Sequence, residues 1–465
     1  MLRTIVAMKA LVIEALVIEA PAMTALVITA LWPLLIGVAR AEADPPPAAP
    51  ENWAVRGQST FTFQYHPAFA SPPIISPKTL NNGRRGAEDN NTTIGAGLRL
   101  WKGAEFWVES EVDQGFSLQK AQGIAGYVEG NSFKLSQDVP FWRLPRAFLR
   151  QTIGLGGERQ EVAADTNVLR GSQDTNRIVV TVGKFSVIDI FDNNTYAHDP
   201  RVDFLNWVFS DSGAFDYATD PFGMTYGIAI EWYQSRWALR AGLFDMAISP
   251  EAQFLDMRFL HQVEGVLEAE ERHMIGGRPG KFSVLFFANR GLMVKLSDYI
   301  NLANATGSVP DQTRLRRLRT RIGFSLNFEQ AITDQLGVFA RASWADGGLE
   351  VLNFTDIDRA VAFGVSLKGG DWNRPDDVFG AGFAFNAISR DRLNFLRAGG
   401  QGSVISDGQG SPLRAAGEQI FETFYNIAIK KWLNLTPDYQ LVNHPAYNVD
   451  RGPVHVFSLR LHAQI

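Results

Sequence analysis

Strict two-residue periodicity, sustained for stretch after stretch, limits this chain to very few folds. In RTRIGFSLNF, Ile322, Phe324, Leu326 and Phe328 fall on one side, with Arg321, Gly323, Ser325 and Asn327 on the other. QLGVFARASW sets Leu336, Val338, Ala340, Ala342 and Trp344 against Gly337, Phe339, Arg341 and Ser343. FETFYNIAIK sets Phe421, Thr423, Tyr425, Ile427 and Ile429 against Glu422, Asn426 and Lys430, and WLNLTPDYQL sets Leu433, Leu435, Pro437, Tyr439 and Leu441 against Asn434, Thr436, Asp438 and Gln440. Successive side chains of a β-strand point to opposite faces, so each run is a strand with one oily and one wet face. A soluble sandwich also alternates. Runs of about ten residues with ionised groups in mid-strand, however, match a tilted strand that crosses a bilayer. The 42 Gly, 32 Phe and 11 Trp, in a chain only 46% hydrophobic with a mean hydropathy of -0.07, fit strands that are oily on one face alone.

Such segments fall near 56–65, 91–101, 104–113, 145–155, 176–184, 223–233, 236–245, 259–270, 280–290, 318–329, 334–344, 358–367, 378–388, 417–429, 433–441 and 453–463. Their number, about sixteen, is even, as closed bacterial barrels require. Connections alternate between long (66–90, 114–144, 185–222, 291–317, 389–416) and short (Lys102-Gly103, Gln234-Ser235, Gln330 to Thr333), the pattern of extended external loops and tight periplasmic turns. Residues 156–175 break that parity. Trp101, Trp107, Trp232, Trp237, Trp344 and Trp432 stand near strand ends, where an interfacial aromatic belt belongs. The predicted fold is therefore all-β: a transmembrane antiparallel β-barrel of about sixteen strands over residues 56–465, in which 185–222 is the third external loop.

The first 41 residues are of another kind. Arg3 and Lys9 precede an apolar run that ends at Ala39-Arg40-Ala41, the small-x-small pattern of a signal-peptidase site, and a Pro-rich segment (42–55) follows. A cleaved signal peptide is expected, with a membrane anchor as the alternative. No other stretch reaches the 18 or so apolar residues of a spanning helix. A net charge of -5 provides no basic field for nucleic acid, and the absence of Cys removes disulfides, thiolate metal ligands and Cys nucleophiles.

Three motifs occur in order: YAHDPRVDFLNW (196–207), FTDIDRAVAFGVSLKGGDWNRPDDVFGAGFAFNAISRDRLNFLRAGG (354–400) and TPDYQLVNHPAYNVDRGPVHVFSLRLH (436–462). Together they resemble the carbohydrate-selective porin family, the OprB type. The resemblance covers most of the chain beyond residue 41. It implies a sixteen-stranded barrel in the outer membrane of a Gram-negative bacterium, passing glucose-like monosaccharides by facilitated, energy-independent diffusion. It also implies an inward-folded third external loop, with no catalytic residues and no cofactor.

Within that frame, GKFSVIDIFDNNTYAHDPRVDFLNW (183–207) is the expected constriction. A neutral sugar presents hydroxyls at its edge and C–H groups on its faces, so a selective pore needs short-range hydrogen bonds and flat aromatic surfaces. Asp189, Asp192, Asn193, Asn194, Asp199 and Arg201 are the polar candidates, and Tyr196, His198 and Trp207 the flat ones. The alternative is that Asx turns and an Asp–Arg pair merely pin the loop to the wall. The cluster lacks the Gly and closing Glu of a calcium loop, so no metal is expected.

Inward positions carry Glu109, Glu111, Arg150, Arg177, Glu231, Arg240, Glu264, Arg321, Arg341, Glu422 and Arg460. These either set up a transverse field suited to neutral solutes or pair with one another to stiffen the wall. Arg314, Arg316, Arg317, Arg319 and Arg321 either meet lipopolysaccharide phosphates or divide between lumen and solvent. Expected partners are a sugar solute, outer-membrane lipid and lipopolysaccharide, with the barrel a monomer or a homotrimer. Competing classes are a weakly selective general porin, a polysaccharide-associated channel and a barrel enzyme. The last lacks support, since His198, His444, His455 and His462 have no G-x-S-x-G partner.

Overall fold

The computed structural model describes residues 49–73, 78–115, 117–131, 137–250, 252, 254–258, 260–407 and 413–465. The signal segment expected at 1–41 lies outside them. Sixteen strands follow one another: β1 Trp53–His66, β2 Arg85–Trp101, β3 Ala104–Gly115, β4 in two pieces (Gln137–Arg143 and Ala147–Gly154), β5 Arg177–Phe185, β6 Thr225–Gln234, β7 Trp237–Asp245, β8 Val263–Ile275, β9 Arg278–Met293, β10 Arg317–Ala331, β11 Leu336–Ala345, β12 Arg359–Gly369, β13 Arg374–Ala387, β14 Glu418–Lys430, β15 Leu433–Asn443 and β16 Val454–Gln464. Each pairs antiparallel with the next, and β1 pairs with β16 from Gln58↔Gln464 to Tyr65↔Phe457, closing the barrel.

Both pieces of β4 pair with β3, Arg143 opposite Glu111 and Ala147 opposite Val108. Between them lies Pro145, which has no N–H to give the ladder. Residues 137–143, expected within the loop 114–144, therefore belong to the wall. One of the two-residue turns, Gly276-Gly277, has φ of 58° and 78° at its two residues and joins the paired Ile275 and Arg278. Left-handed backbone at both positions is what a two-residue hairpin needs and what glycine adopts without a Cβ clash.

Alternation is realised as lipid face and lumen face. Ile94, Leu267, Phe286 and Ile322 are all more than half exposed on the outside, while Glu109, Glu264, Arg321 and Glu422 are wholly buried inside. Trp101, Trp232 and Trp237 are exposed near strand ends, and Trp232 and Trp237 meet edge to face at 4.9 Å. Trp107 is not part of that belt. It is fully buried on the inner face, where Gly97 leaves room for its indole: a Cβ at Gly97 would lie 2.4 Å from the ring.

The anomalous connection 155–176 contains a two-stranded ribbon, Arg159–Val162 with Gly171–Asp174. Its tip meets residues 51–56, where the barrel begins. Glu51 N–H donates to the Arg170 carbonyl at 3.0 Å, the Glu51 carboxylate accepts from Arg170 N–H at 2.8 Å and pairs with its guanidinium at 3.3 Å, Arg56 reaches Glu51 at 2.6 Å, and Arg150 donates to the Asn167 carbonyl at 2.8 Å. Having its own ladder, the segment satisfies its backbone without lengthening the wall strands.

Candidate functional site inside the barrel

Residues 186–224 join β5 to β6 and carry most of the expected constriction. They start with a clamp. The Asp189 carboxylate caps the Ser186 N–H at 3.0 Å and receives Nε and Nη2 of Arg146 at 2.8 and 2.7 Å, while Arg146 Nη1 reaches Glu109 on β3 at 2.9 Å. Burial opposes ionisation of Asp189, but Arg146 outweighs it and holds the carboxyl below the usual aspartate value.

A connection that leaves the ladder has no strand to pair with, so its N–H groups need other acceptors. Inward carboxylates of the wall supply them. Asp192 N–H donates to Glu268 (2.8 Å), Thr195 N–H and Oγ1 to Glu329 (2.6 and 2.7 Å), Leu205 and Asn206 N–H to Glu422 (2.5 and 3.0 Å), and Ala218 N–H to Glu264 (2.7 Å). In return, Asp216 on the connection accepts from the backbone N–H of Leu352, Asn353, Phe354 and Thr355 at 2.8 to 3.4 Å. Apolar contacts follow the same route: Phe204 packs on Phe339 (5.3 Å) and Phe424 (5.0 Å), inward residues of β11 and β14.

These contacts sort the expected site residues. Asp192 is fully buried, accepting from Ser212 N–H and Oγ at 2.6 and 2.9 Å, with φ of 57°. Asn194 is bonded to Asn327 (2.7 Å) and closes an Asx turn on Tyr196 N–H (2.9 Å). Trp207, only 1% exposed, stands edge-on to Tyr127 (5.6 Å) and Phe354 (5.1 Å) in an apolar knot. These three hold the connection in place and present no surface to a solute. On the wall, Glu264 and Glu422 are taken up by loop N–H groups, and Arg341 and Arg460 by the carbonyls of Phe209 and Pro200. Arg321 lies between Asp216 (3.5 Å) and Asp358 (3.4 Å).

Other residues border open space. A cavity of about 880 Å³ is bounded on the loop side by Asp189, Asn193, Thr195 and Tyr196, and on the wall side by Arg177, Glu231, Tyr233, Arg240, Glu270, Arg272, Lys281 and Glu329. Arg236 and Glu271 complete its charges, giving five basic and five acidic side chains. Arg240 bonds Glu268 at 2.5 Å and Glu270 at 2.9 Å. Arg177, Arg240 and Arg272 surround the Tyr233 ring, 3.9, 5.3 and 5.3 Å from its centroid. Tyr196 leans on bare backbone, since a Cβ at Gly337 would fall 2.0 Å from its ring.

Further along, Asp199 and Arg201 are paired at 3.6 Å, and the Asp199 side chain remains 42% exposed. Burial raises the Asp199 carboxyl, and Arg201 more than reverses this. Burial, reinforced by Arg341, lowers His198, whereas burial and the neighbouring Asp199 push Asp203 up to about 6. On the wall, Arg143 salt-bridges Glu111 and Asp113 and lies 4.5 Å from the Phe222 ring.

The sequence profile described as carbohydrate-selective porin, OprB family, matches residues 78–465. The chain belongs to that family. Porin AaxA of Chlamydia muridarum is 25% identical over 336 residues, 70% of this chain and 62% of the relative, and that of Chlamydia abortus is 24% identical over 336 residues, 69% and 63%. The OprB-family chain thus spans about three-fifths of the length of these relatives. Its fold superposes on Pseudomonas putida OprB at high pH with a TM-score of 0.66 at 15% identity, covering 89% of this chain and 94% of the other. The family is described as one of porins, and the superposition shows the same kind of closed barrel as in an outer-membrane porin.

Among the groups that sequence reading missed in this porin are Arg143, Arg146, Tyr233, Glu268, Glu270, Arg272 and Glu329. Five of them were visible by alternation, since they share inward faces with Glu231, Glu264, Lys281 and Asn327 on paired strands. Arg143 and Arg146 flank Pro145, and only the interrupted pairing with β3 shows that they belong to the wall.

Proposed function

We propose that this OprB-family porin admits neutral, monosaccharide-sized sugars by passive diffusion, with residues 189–203 of the β5–β6 connection folded into the lumen as its constriction. The charge-balanced chamber beneath Asn193, Thr195 and Tyr196 carries the reading. A polyhydroxyl solute can exchange its water hydrogen bonds for those of closely spaced donors and acceptors, whereas an ion of either sign gains little from five positive and five negative groups. Tyr196 is the flat surface and Asn193, Asp199 and Arg201 the polar contacts. Asp192, Asn194 and Trp207 act as anchors.

Liposome swelling with glucose, maltose and maltotriose tests the size preference: glucose should enter fastest, and equal rates would refute it. Reconstituted in planar bilayers, the channel should show saturable reduction of ion current by glucose. Tyr196→Ala should weaken that block more than it changes conductance. No saturable block at all would instead mark a general sieve.

A further inference from the structure

On the outer wall the registers align small residues side by side. Ile228, Leu243, Gly265, Ala288 and Ile322 form one cross-strand row over β6–β10, and Ile230, Ala241, Leu267, Phe286, Phe324 and Trp344 form the next row towards the turn end. Directly opposed residues of an antiparallel pair share a face. The adjacent Gly265 and Ala288 therefore leave a dent between bulky neighbours, an apolar groove of about 720 Å³. It lies in the half of the wall next to the long connections, since Gly265 is the third residue of β8 from that end. One side-chain row above the dent, on β9, stands Arg290, exposed and outward; Arg359, also exposed and outward, ends the second row opposite Trp344. Neither arginine has a side-chain partner among the described residues, unlike Arg316 on Glu350 (2.7 Å) and Arg319 on Asp298 (3.0 Å) nearby. An unpaired cation on a lipid-facing wall is costly unless it meets an anion at the membrane interface.

We propose that this groove holds an acyl chain of a bis-phosphorylated outer-leaflet lipid of the lipid A type, one phosphate beside Arg290 and the other beside Arg359, which stand three strands and two side-chain rows apart. The lumen is not involved. The site is thus independent of the solute the pore admits.

The test is native mass spectrometry of the full barrel in detergent, incubated with bis-phosphorylated lipid A or with its dephosphorylated form. Wild type should retain one phosphorylated molecule and release the dephosphorylated one. R290Q/R359Q should lower retention by on the order of tenfold. Gly265→Leu should also lower it with both arginines intact, and the site has room for the change, because a Cβ there meets only Leu243 at 3.8 Å. Heat-shifted gel mobility and glucose block, unchanged in each variant, establish that the barrel is folded. Equal retention of the two lipid forms, full retention by R290Q/R359Q or by Gly265→Leu, or a dimer mass in place of the lipid adduct would each overturn the proposal.

Discussion

Tyr196 reaches the chamber only because position 337 has no side chain: the ring occupies the place of a Cβ. Gly337→Ala must therefore displace the ring or bend the wall, an overpacking of about 1–3 kcal/mol. The expected result is weaker glucose block and a lower unfolding midpoint, read by bilayer recording and thermal denaturation. Asp203 offers a pH test at the same scale. Its folded value of about 6 lies above the ordinary aspartate value, because burial and Asp199 both disfavour the charge. A carboxyl raised by folding stabilises the folded state while it is protonated. The contribution is present near pH 4 and is lost as pH rises through about 6. Protection factors from hydrogen–deuterium exchange over residues 198–206, which divide out the intrinsic rise of amide exchange with pH, should fall between about pH 4 and 7, and Asp203→Asn should abolish the fall.

At the scale of elements, the β5–β6 connection relies on wall acceptors as well as on its own Asp and Asn side chains. Its N–H groups end on Glu264, Glu268, Glu329 and Glu422, and its Asp189 on Arg146. Arg146→Ala leaves Asp189 and Glu109 as uncompensated carboxylates, at a cost of about 3–5 kcal/mol. Loosening should appear as added current noise and as proteolytic cleavage within 186–224; a quiet, protease-resistant channel would mean the clamp is redundant. The inward faces of the wall also carry phenylalanines, Phe287, Phe339 and Phe424, all almost fully buried. Aromatic rings on a water-lined face make sense only if something apolar packs on them, so their positions already signalled an inserted element. What they did not signal was which residues arrive. Phe204 and Phe209, 4.9 Å apart, are two that do, and Phe204 also meets Phe339 and Phe424.

For the whole molecule, outward side chains face lipid. Phe324→Arg should therefore impair folding into the membrane by about 2–4 kcal/mol near the midplane, measured by urea titration in lipid vesicles. Arg341→Phe on the inner face would instead unseat the loop without blocking insertion. The number and order of the strands were legible, because both a closed barrel and a lipid face enforce the period; β3 and β15 start where expected, while β2 begins six residues earlier and β8 ends five residues later than the pattern suggested. Trp107 was misplaced because proximity to a strand end does not say which face a residue takes. The ribbon at 155–176 could not be foreseen either, since a short antiparallel pair within a turn has no lipid face to impose a pattern.

Primary structure alone dictates strand count, order and which face is oily, since a period of two leaves a single choice once one side must meet hydrocarbon. It does not divide the inward groups between solute and scaffold. Glu422 meets Leu205 across 217 positions of chain and Asp216 meets Leu352 across 136. A carboxylate that ends on a buried N–H and one that faces open water look alike until closure of the barrel brings such distant segments together.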